Sequence, residues 1–356
     1  MKTQSNKLDF TGQDIFVGID AHLKNWKLAV MSEKLTHKIF SQPPNPDALH
    51  KFLVSNYPGA TYHTAYEAGF CGFWIHNRLK ELGVNSMVVN AADIPTTHKE
   101  KVQKEDKRDS VKIAKSLRSG DLKPIYVPSM KTVEDRALVR NRYSLVKDAS
   151  RNKNRIKSFL HFHGIEIPEA YNNGWSKNFI KWLQSLEFTE PSAKHSLDAY
   201  ISSVQFLKDS ILKTTKHIRE ISRTDAYSEK VRLLISIPGI GLLTAMIILT
   251  EIEDIKRFKN GDQLCSYIGL IPSTGSSGEH EVIRNITPRG NKMLRKAIIE
   301  SAWTAARRDP ALTQSFYDYQ RRMDSNKAIV KIAKKLLNRI RFVLINEKPY
   351  EFKITG

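Results

Sequence analysis

The sequence predicts an α/β plus all-α protein: a mixed sheet domain first, then a mainly helical remainder. Three observations carry this. Short apolar runs at strand spacing crowd residues 14–90, apolar residues recur every three or four positions from Thr132 onward, and 356 residues exceed what one core usually organises.

Taken in order, "DIFVGIDAHLKNWKLAVMSEK" (14–34) reads as a β-hairpin, with Ile15 to Ile19 as a buried strand and Trp26 to Val30 alternating across a polar turn. "HKIFSQ" adds a third strand. "NPDALHKFLVSNY" has the Asn/Asp start and apolar spacing of a helix, "ATYHTAYEAG" is a strand, "GFWIHNRLKELG" is a helix stopped by Gly83, and "NSMVVN" is another strand. Hairpins followed by strand–helix alternation imply a mixed sheet over residues 1–130. Residues 131–230 carry the spacing of long antiparallel helices, a coiled-coil connector that is either a solvated spacer or an oligomerisation region. Residues 231–356 open with "LLISIPGIGLLTAMIILTEI" and close in a basic helix over 327–345, whose predicted apolar face is Ala328, Ile329, Ile332, Ala333, Leu336, Leu337, Ile340 and Val343.

Charge is the strongest bulk signal. Lys plus Arg number 57 against 37 Asp plus Glu, a net +20. Such an excess repels itself unless it meets a polyanion, and phosphate backbones are the commonest partner. No long apolar run or terminal basic anchor points to a membrane. Two cysteines, Cys71 and Cys265, lack metal-ligand spacing, and the first ten residues lack a signal-peptide core, so a cytoplasmic setting is expected.

Four acids stand out. Asp20 closes the first strand and Glu67 a later one, while Asp106 and Asp109 lie three apart on a predicted helix and so face one way. Converging carboxylates in a basic protein are costly unless a divalent cation neutralises them, and carboxylate oxygens suit Mg²⁺. Taken singly, Asp106 and Asp109 also read as ion pairs with the surrounding Lys104, Lys107, Arg108 and Lys112. "VGID" also begins actin-like ATPases and sugar kinases, but the glycine-rich phosphate loops those folds require are missing from suitable places.

Downstream, "IPGIG" places Gly239 and Gly241 between two apolar helices, either as a phosphate-receiving helix start or as a tight turn. "STGSSGEHEVIRNITPRGN" reads as a flexible hydroxyl-rich loop beside Arg284, Arg289, Lys292 and Arg295; Lys334 and Lys335 add cations on the last helix. A serine hydroxyl becomes a useful nucleophile when cations or metal hold a phosphate before it.

In this order "VGIDAHLKNWKLAV", "YEAG", "KEDKRDSVKIAKSL", "SIPGIG" and "GLIPSTGSSGE…ITPRGNKMLRKAI" resemble the DEDD transposases of the insertion sequence 110 family, over about residues 15–345. The resemblance implies an RNase H-like (RuvC-like) first domain whose Asp20, Glu67, Asp106 and Asp109 hold Mg²⁺. It implies a C-terminal transposase domain with a helix-hairpin-helix-like element, where Ser277 forms a phosphoserine link to cleaved DNA; Ser276 beside it leaves the register open by one residue. It further implies target and donor DNA, a bridge guide RNA, and dimers assembling to tetramers. Two other readings of the residues stay open: a metal-dependent junction endonuclease without serine chemistry, and a non-catalytic nucleic-acid-binding protein.

Overall fold

The computed structural model describes residues 9–95, 106–171, 174–277 and 280–351. The chain divides into two compact units, Met1–Val127 and Pro128–Gly356, so the 131–230 and 231–356 stretches fall together in the second.

The first unit is built on a five-stranded sheet of order β3-β2-β1-β4-β5. Strands β1 (Asp14–Ala21), β2 (Trp26–Met31) and β3 (Thr36–Gln42) form an antiparallel meander, and β4 (Thr61–Glu67) and β5 (Asn85–Val89) run parallel to β1. Parallel neighbours need crossovers, supplied by α1 (Pro46–Asn56) and α2 (Trp74–Glu81). Helix α1 starts where the sequence signals it: Asn45 Oδ1 accepts from the Asp47 and Ala48 amides at 2.9 and 3.1 Å, with Pro46 in the first turn. Such a cap contributes about 1 kcal/mol. This strand order and these directions are the RNase H-like arrangement.

Strand alternation gives the sheet two unlike faces. One carries Ile15, Val17, Ile19, Tyr66 and Val88, packed on Leu49 and Leu53 of α1 and Ile75 and Leu79 of α2. The other is lined by small residues, Gly18, Ala29 and Ala65, and receives α3 (Asp106–Arg118). A Cβ on Gly18 would stand 2.0 Å from the Ser110 carbonyl oxygen and 2.5 Å from the Ala114 nitrogen. Backbone here rests on backbone. At the far end of the helix Arg118 Nη1 donates to Ser32 O at 3.4 Å, just beyond β2 and so beside the start of β1. Helix α3 therefore runs antiparallel to β1, with its N-terminus over the carboxyl end of that strand.

Among the described residues, the second unit is helical apart from one hairpin. Helices α4 (Met130–Phe162) and α6 (Pro191–Ile221) lie antiparallel: Val139 shares a core with Ile218, whereas Ile156 and Leu160 share one with Leu197, Ile201 and Val204. Short α5 (Lys177–Ser185) closes that second core with Phe179 and Leu183. The main core gathers α7 (Ser228–Ile235), α8 (Leu242–Ile252), α9 (Gly261–Ile268), α10 (Lys292–Arg308), α11 (Pro310–Gln320) and α12 (Ser325–Asn346). All eight residues of the predicted apolar face of the last helix are buried, with Leu344 beside them. No helix among the described residues is long and apolar enough to cross a membrane.

One local expectation is corrected. The Thr274–Gly278 stretch, read as a flexible loop, belongs largely to β6 (Pro272–Ser277), which pairs antiparallel with β7 (His280–Ile286) from Pro272↔Ile286 to Ser277↔His280. Glycine and serine disfavour strands in isolation, but cross-strand pairing with "HEVIRNI" overrides that preference.

The Gly18 contact yields a stability test. Gly18→Ala should destabilise the chain by about 1–3 kcal/mol through overpacking. Gly69→Ala, with open space around the site and no left-handed backbone, should stay within about 0.5 kcal/mol of wild type. Equal urea midpoints for the two variants would contradict the close approach.

Candidate active site

Asp20 and Glu67 stand at the carboxyl ends of adjacent parallel strands. Ile19 pairs with Tyr66, so the next residue on each strand is an acid, about 4.8 Å apart across the sheet. Alternation puts both on the face of Gly18 and Ala65, beneath α3. Asp20 is mostly buried, with His22 Nε2 3.0 Å from its Oδ2 and Lys27 as its antiparallel partner on β2. The neighbouring loop is pinned by Tyr66, whose hydroxyl donates to Gly72 O at 2.9 Å, and by the Ala68 amide on Val89 O at 2.8 Å.

Asp109 precedes Ser110, the residue seated on Gly18, and so lies over the same sheet end. Its carboxylate is half exposed and pairs with Lys112 at 3.6 Å. Asp106 begins α3; its side chain lies outside the described residues. The structure thus brings Asp20 and Glu67 together and sets the start of α3 above them. Among the described residues, no group of three or more His, Cys, Asp or Glu side chains is placed to hold one metal ion. In donor chemistry the strand pair fits: carboxylates at adjacent strand ends supply the hard oxygen ligands Mg²⁺ takes. Burial pushes the thiols of Cys71 and Cys265 above their ordinary range, so neither is a ready thiolate.

In the second unit Gly239 and Gly241 separate α7 from α8, as the sequence suggests, but they serve unlike ends. Gly239 has φ +90°, and a Cβ there would meet Ser301 O at 2.4 Å, so its role is to let the turn rest on α10. Gly241 precedes α8 in open space. Ser277 ends β6, backbone-paired with His280; its side chain and those of Ser276 and Arg284 lie outside the described residues.

Of the cations singled out, Arg289 and Lys292 are exposed beside the hairpin. Arg295 turns inward: Nη1 donates to Gly269 O at 3.0 Å and Thr287 O at 2.6 Å, tying the base of the hairpin to α10. Lys335 donates to Ser315 Oγ at 2.8 Å and lies over the Tyr319 ring, while Lys334 is half-buried. On the same helix Arg339 is spent on buried Asp309, which also accepts from the Tyr350 hydroxyl at 2.7 Å. Arg341 donates to Lys259 O at 2.9 Å.

One polar network of the second unit went unread in the sequence. Glu251, fully buried on α8, accepts from Arg140 of α4 at 2.7 and 2.8 Å and from Asn291 Nδ2 at 2.6 Å, while Arg136 Nε donates to Thr250 O at 2.7 Å. Hydrogen bonding to Glu251 raises the Arg140 pKa above its ordinary value. Two residues on, Glu253 ends α8 at φ +60° and caps a different helix: its carboxylate accepts from Ser129 Oγ at 2.6 Å and Thr132 Oγ1 at 2.8 Å at the start of α4. The only signal was a pair of acids closing a strongly apolar helix.

Comparison with known proteins agrees with this architecture. Residues 17–164 match the DEDD transposase domain of IS110 elements, and residues 231–318 match the model described as the transposase IS116/IS110/IS902 family. Among curated relatives, a transposase for insertion sequence element IS1533 from Leptospira borgpetersenii is 29% identical over 81% of this chain and 84% of its own. A putative transposase, y4qE, from Sinorhizobium fredii is 29% identical over 82% of this chain and 72% of its own. Over 57% of this chain and 55% of its own, a transposase for element IS1111A from Coxiella burnetii is 27% identical. With these family matches, an RNase H-like unit followed by a helical unit places the chain among the DEDD-type transposases. The chain belongs to the IS116/IS110/IS902 family of insertion-sequence transposases.

The two glycines of the turn separate packing from ligand contact. Gly239→Ala should cost about 1–3 kcal/mol, since it combines a left-handed backbone with overpacking. Gly241→Ala should leave the urea midpoint within about 0.5 kcal/mol of wild type. Equal losses at both positions would contradict the packing role assigned to Gly239.

Proposed function

We propose that the chain moves its element by cutting and rejoining DNA through a covalent phosphoserine intermediate, with strand choice guided by a bridge RNA. The observation that best supports this reading is the Asp20–Glu67 pair at adjacent strand ends beneath the start of α3, in a chain whose relatives carry transposase names. Asp20, Glu67, Asp106 and Asp109 hold Mg²⁺ in this reading. When bound, the cation withdraws charge from the non-bridging oxygens of a phosphodiester and makes its phosphorus a better electrophile.

The chain supplies the remaining chemistry. Ser277 Oγ attacks phosphorus; the Oγ–P bond forms as the bond to one deoxyribose oxygen breaks, and the serine proton ends on that oxygen, which departs as a hydroxyl. One phosphodiester replaces another, so the bond energy is conserved and a hydroxyl of the incoming strand reverses the step. Arg284 and Arg289 offset the charge of the transition state. The net charge of +20 supports a protein that grips nucleic-acid backbones while base pairing selects sequence. Helices α4 and α6 carry assembly into dimers and tetramers.

The test is a recombination assay with guide RNA, both DNA partners and Mg²⁺. Asp20→Asn should abolish strand cleavage, a drop of at least about 100-fold, while nucleic-acid affinity persists. Ser277→Ala should lose recombination and the protein–DNA adduct, whereas Ser276→Ala keeps both. An adduct persisting in Ser277→Ala would move the nucleophile. Cleavage without any adduct in the wild-type chain would leave a hydrolytic junction endonuclease.

A further inference from the structure

A second feature lies away from the acids and the serine. Between α4, α5 and α6 runs a groove of about 440 Å³, floored by Ala149, Trp175, Ile180, Val204 and Ile211. Four lysines rim it, Lys153 from α4, Lys177 and Lys181 from α5, and Lys208 from α6. Some other lysines of this unit sit in ion pairs, Lys131 with Asp135, Lys194 with Asp198 and Lys296 with Glu300. Among the described residues, none of the four groove lysines is in an ion pair. Lys153 Nζ lies 5.4 Å from the centre of the Trp175 ring. Burial, and after it the nearby Lys208, lowers the Lys153 pKa below its ordinary value.

Convergence of four unmatched ammonium groups on an apolar floor is unfavourable by itself, and a polyanion relieves it. The floor adds a second requirement. Trp175 is only half-buried, and Phe179 holds it edge-on at 5.1 Å and 79°, so an indole is fixed at the mouth of the groove. Fixed aromatic rings ringed by cations are the means by which proteins bind unpaired nucleotides, the base on the ring and the phosphates on the cations. A duplex, whose bases are covered, has no use for the ring. Gln184 and Gln205 at the rim supply amide donors and acceptors for base edges.

We propose that the Trp175 groove binds an unpaired stretch of a nucleic-acid strand, with a base on Trp175 and flanking phosphates on Lys153, Lys177, Lys181 and Lys208. This inference stands apart from the cleavage chemistry, because binding here needs neither the acids nor Ser277.

Short single strands carrying 5-iodouracil, one set RNA and one set DNA, are photo-crosslinked to the full chain, and affinity is followed by fluorescence anisotropy across a salt series. A crosslink should map to Trp175. Trp175→Leu should weaken single-strand affinity about tenfold and leave duplex affinity unchanged. Replacing the four lysines by glutamine should lower the slope of log K against log salt by roughly 3, given about 0.7 per phosphate contact. The binding is measured without Mg²⁺, where the cleavage chemistry does not run, which keeps this result separable from any failure of the cleavage reading. Which set crosslinks more strongly identifies RNA or DNA as the natural occupant. Crosslinks that avoid Trp175, together with an unchanged salt slope in the lysine variant and an unchanged circular-dichroism spectrum, would overturn the proposal.

Discussion

The first unit depends on how near one helix can come to one strand. Gly18 has no side chain, and α3 lies on it with the Ser110 carbonyl and the Ala114 amide where a Cβ would be. Ala29 and Ala65 keep the flanking strands equally bare. The sheet is consequently asymmetric: large residues face α1 and α2 along its centre, whereas toward α3 its centre is bare and Met31, Met87 and Val89 lie to the sides. Asp20 and Glu67 follow Gly18 and Ala65 on the same face, so the residues that permit the close approach also set the level at which the carboxylates meet the helix start. A bulkier face would lift α3 and its acids away from the strand ends.

The elements of this unit were largely legible in the sequence because each rests on local chemistry. Asn45 and Pro46 announce α1, Gly83 ends the segment after α2, and alternation marks β1 and β2. The strand-end acids were legible for the same reason, since position along a strand fixes both face and end. What stayed hidden depends on distant partners. The β6–β7 hairpin lacks strand propensity on one side and needs its neighbour. Arg295 reads as a cation for phosphate, yet its guanidinium caps the carbonyls of Gly269 and Thr287. A sequence shows that an arginine is present, not that a carbonyl lies in reach of it.

The second unit is organised by charge placed inside an apolar core. Glu251 is costly to bury alone, and Arg140 with Asn291 offsets that cost through three short hydrogen bonds. The three partners come from α4, from α8 and from the residue preceding α10. Apolar contacts in this core tolerate sliding, but a bidentate pair does not. The network therefore fixes the register of α4 against α8 and sets how the hairpin's base, tied by Arg295, meets the rest of the core.

Glu253 has a mechanical consequence. It holds the first turn of α4 from the end of α8, in a left-handed backbone that a glutamate adopts only under constraint. Helix α4 then continues for 33 residues, about 50 Å at 1.5 Å per residue. Lys153 rides on it roughly 35 Å from the clamp by the same rise. Beyond that first turn, Arg136 and Arg140 are held by Thr250 and Glu251 of the same α8, so the near end of α4 is anchored at three successive levels while its far end projects away from them. The Trp175 groove is thereby carried on a beam fixed at one end to the core of this unit, at a distance set by the rise of the helix.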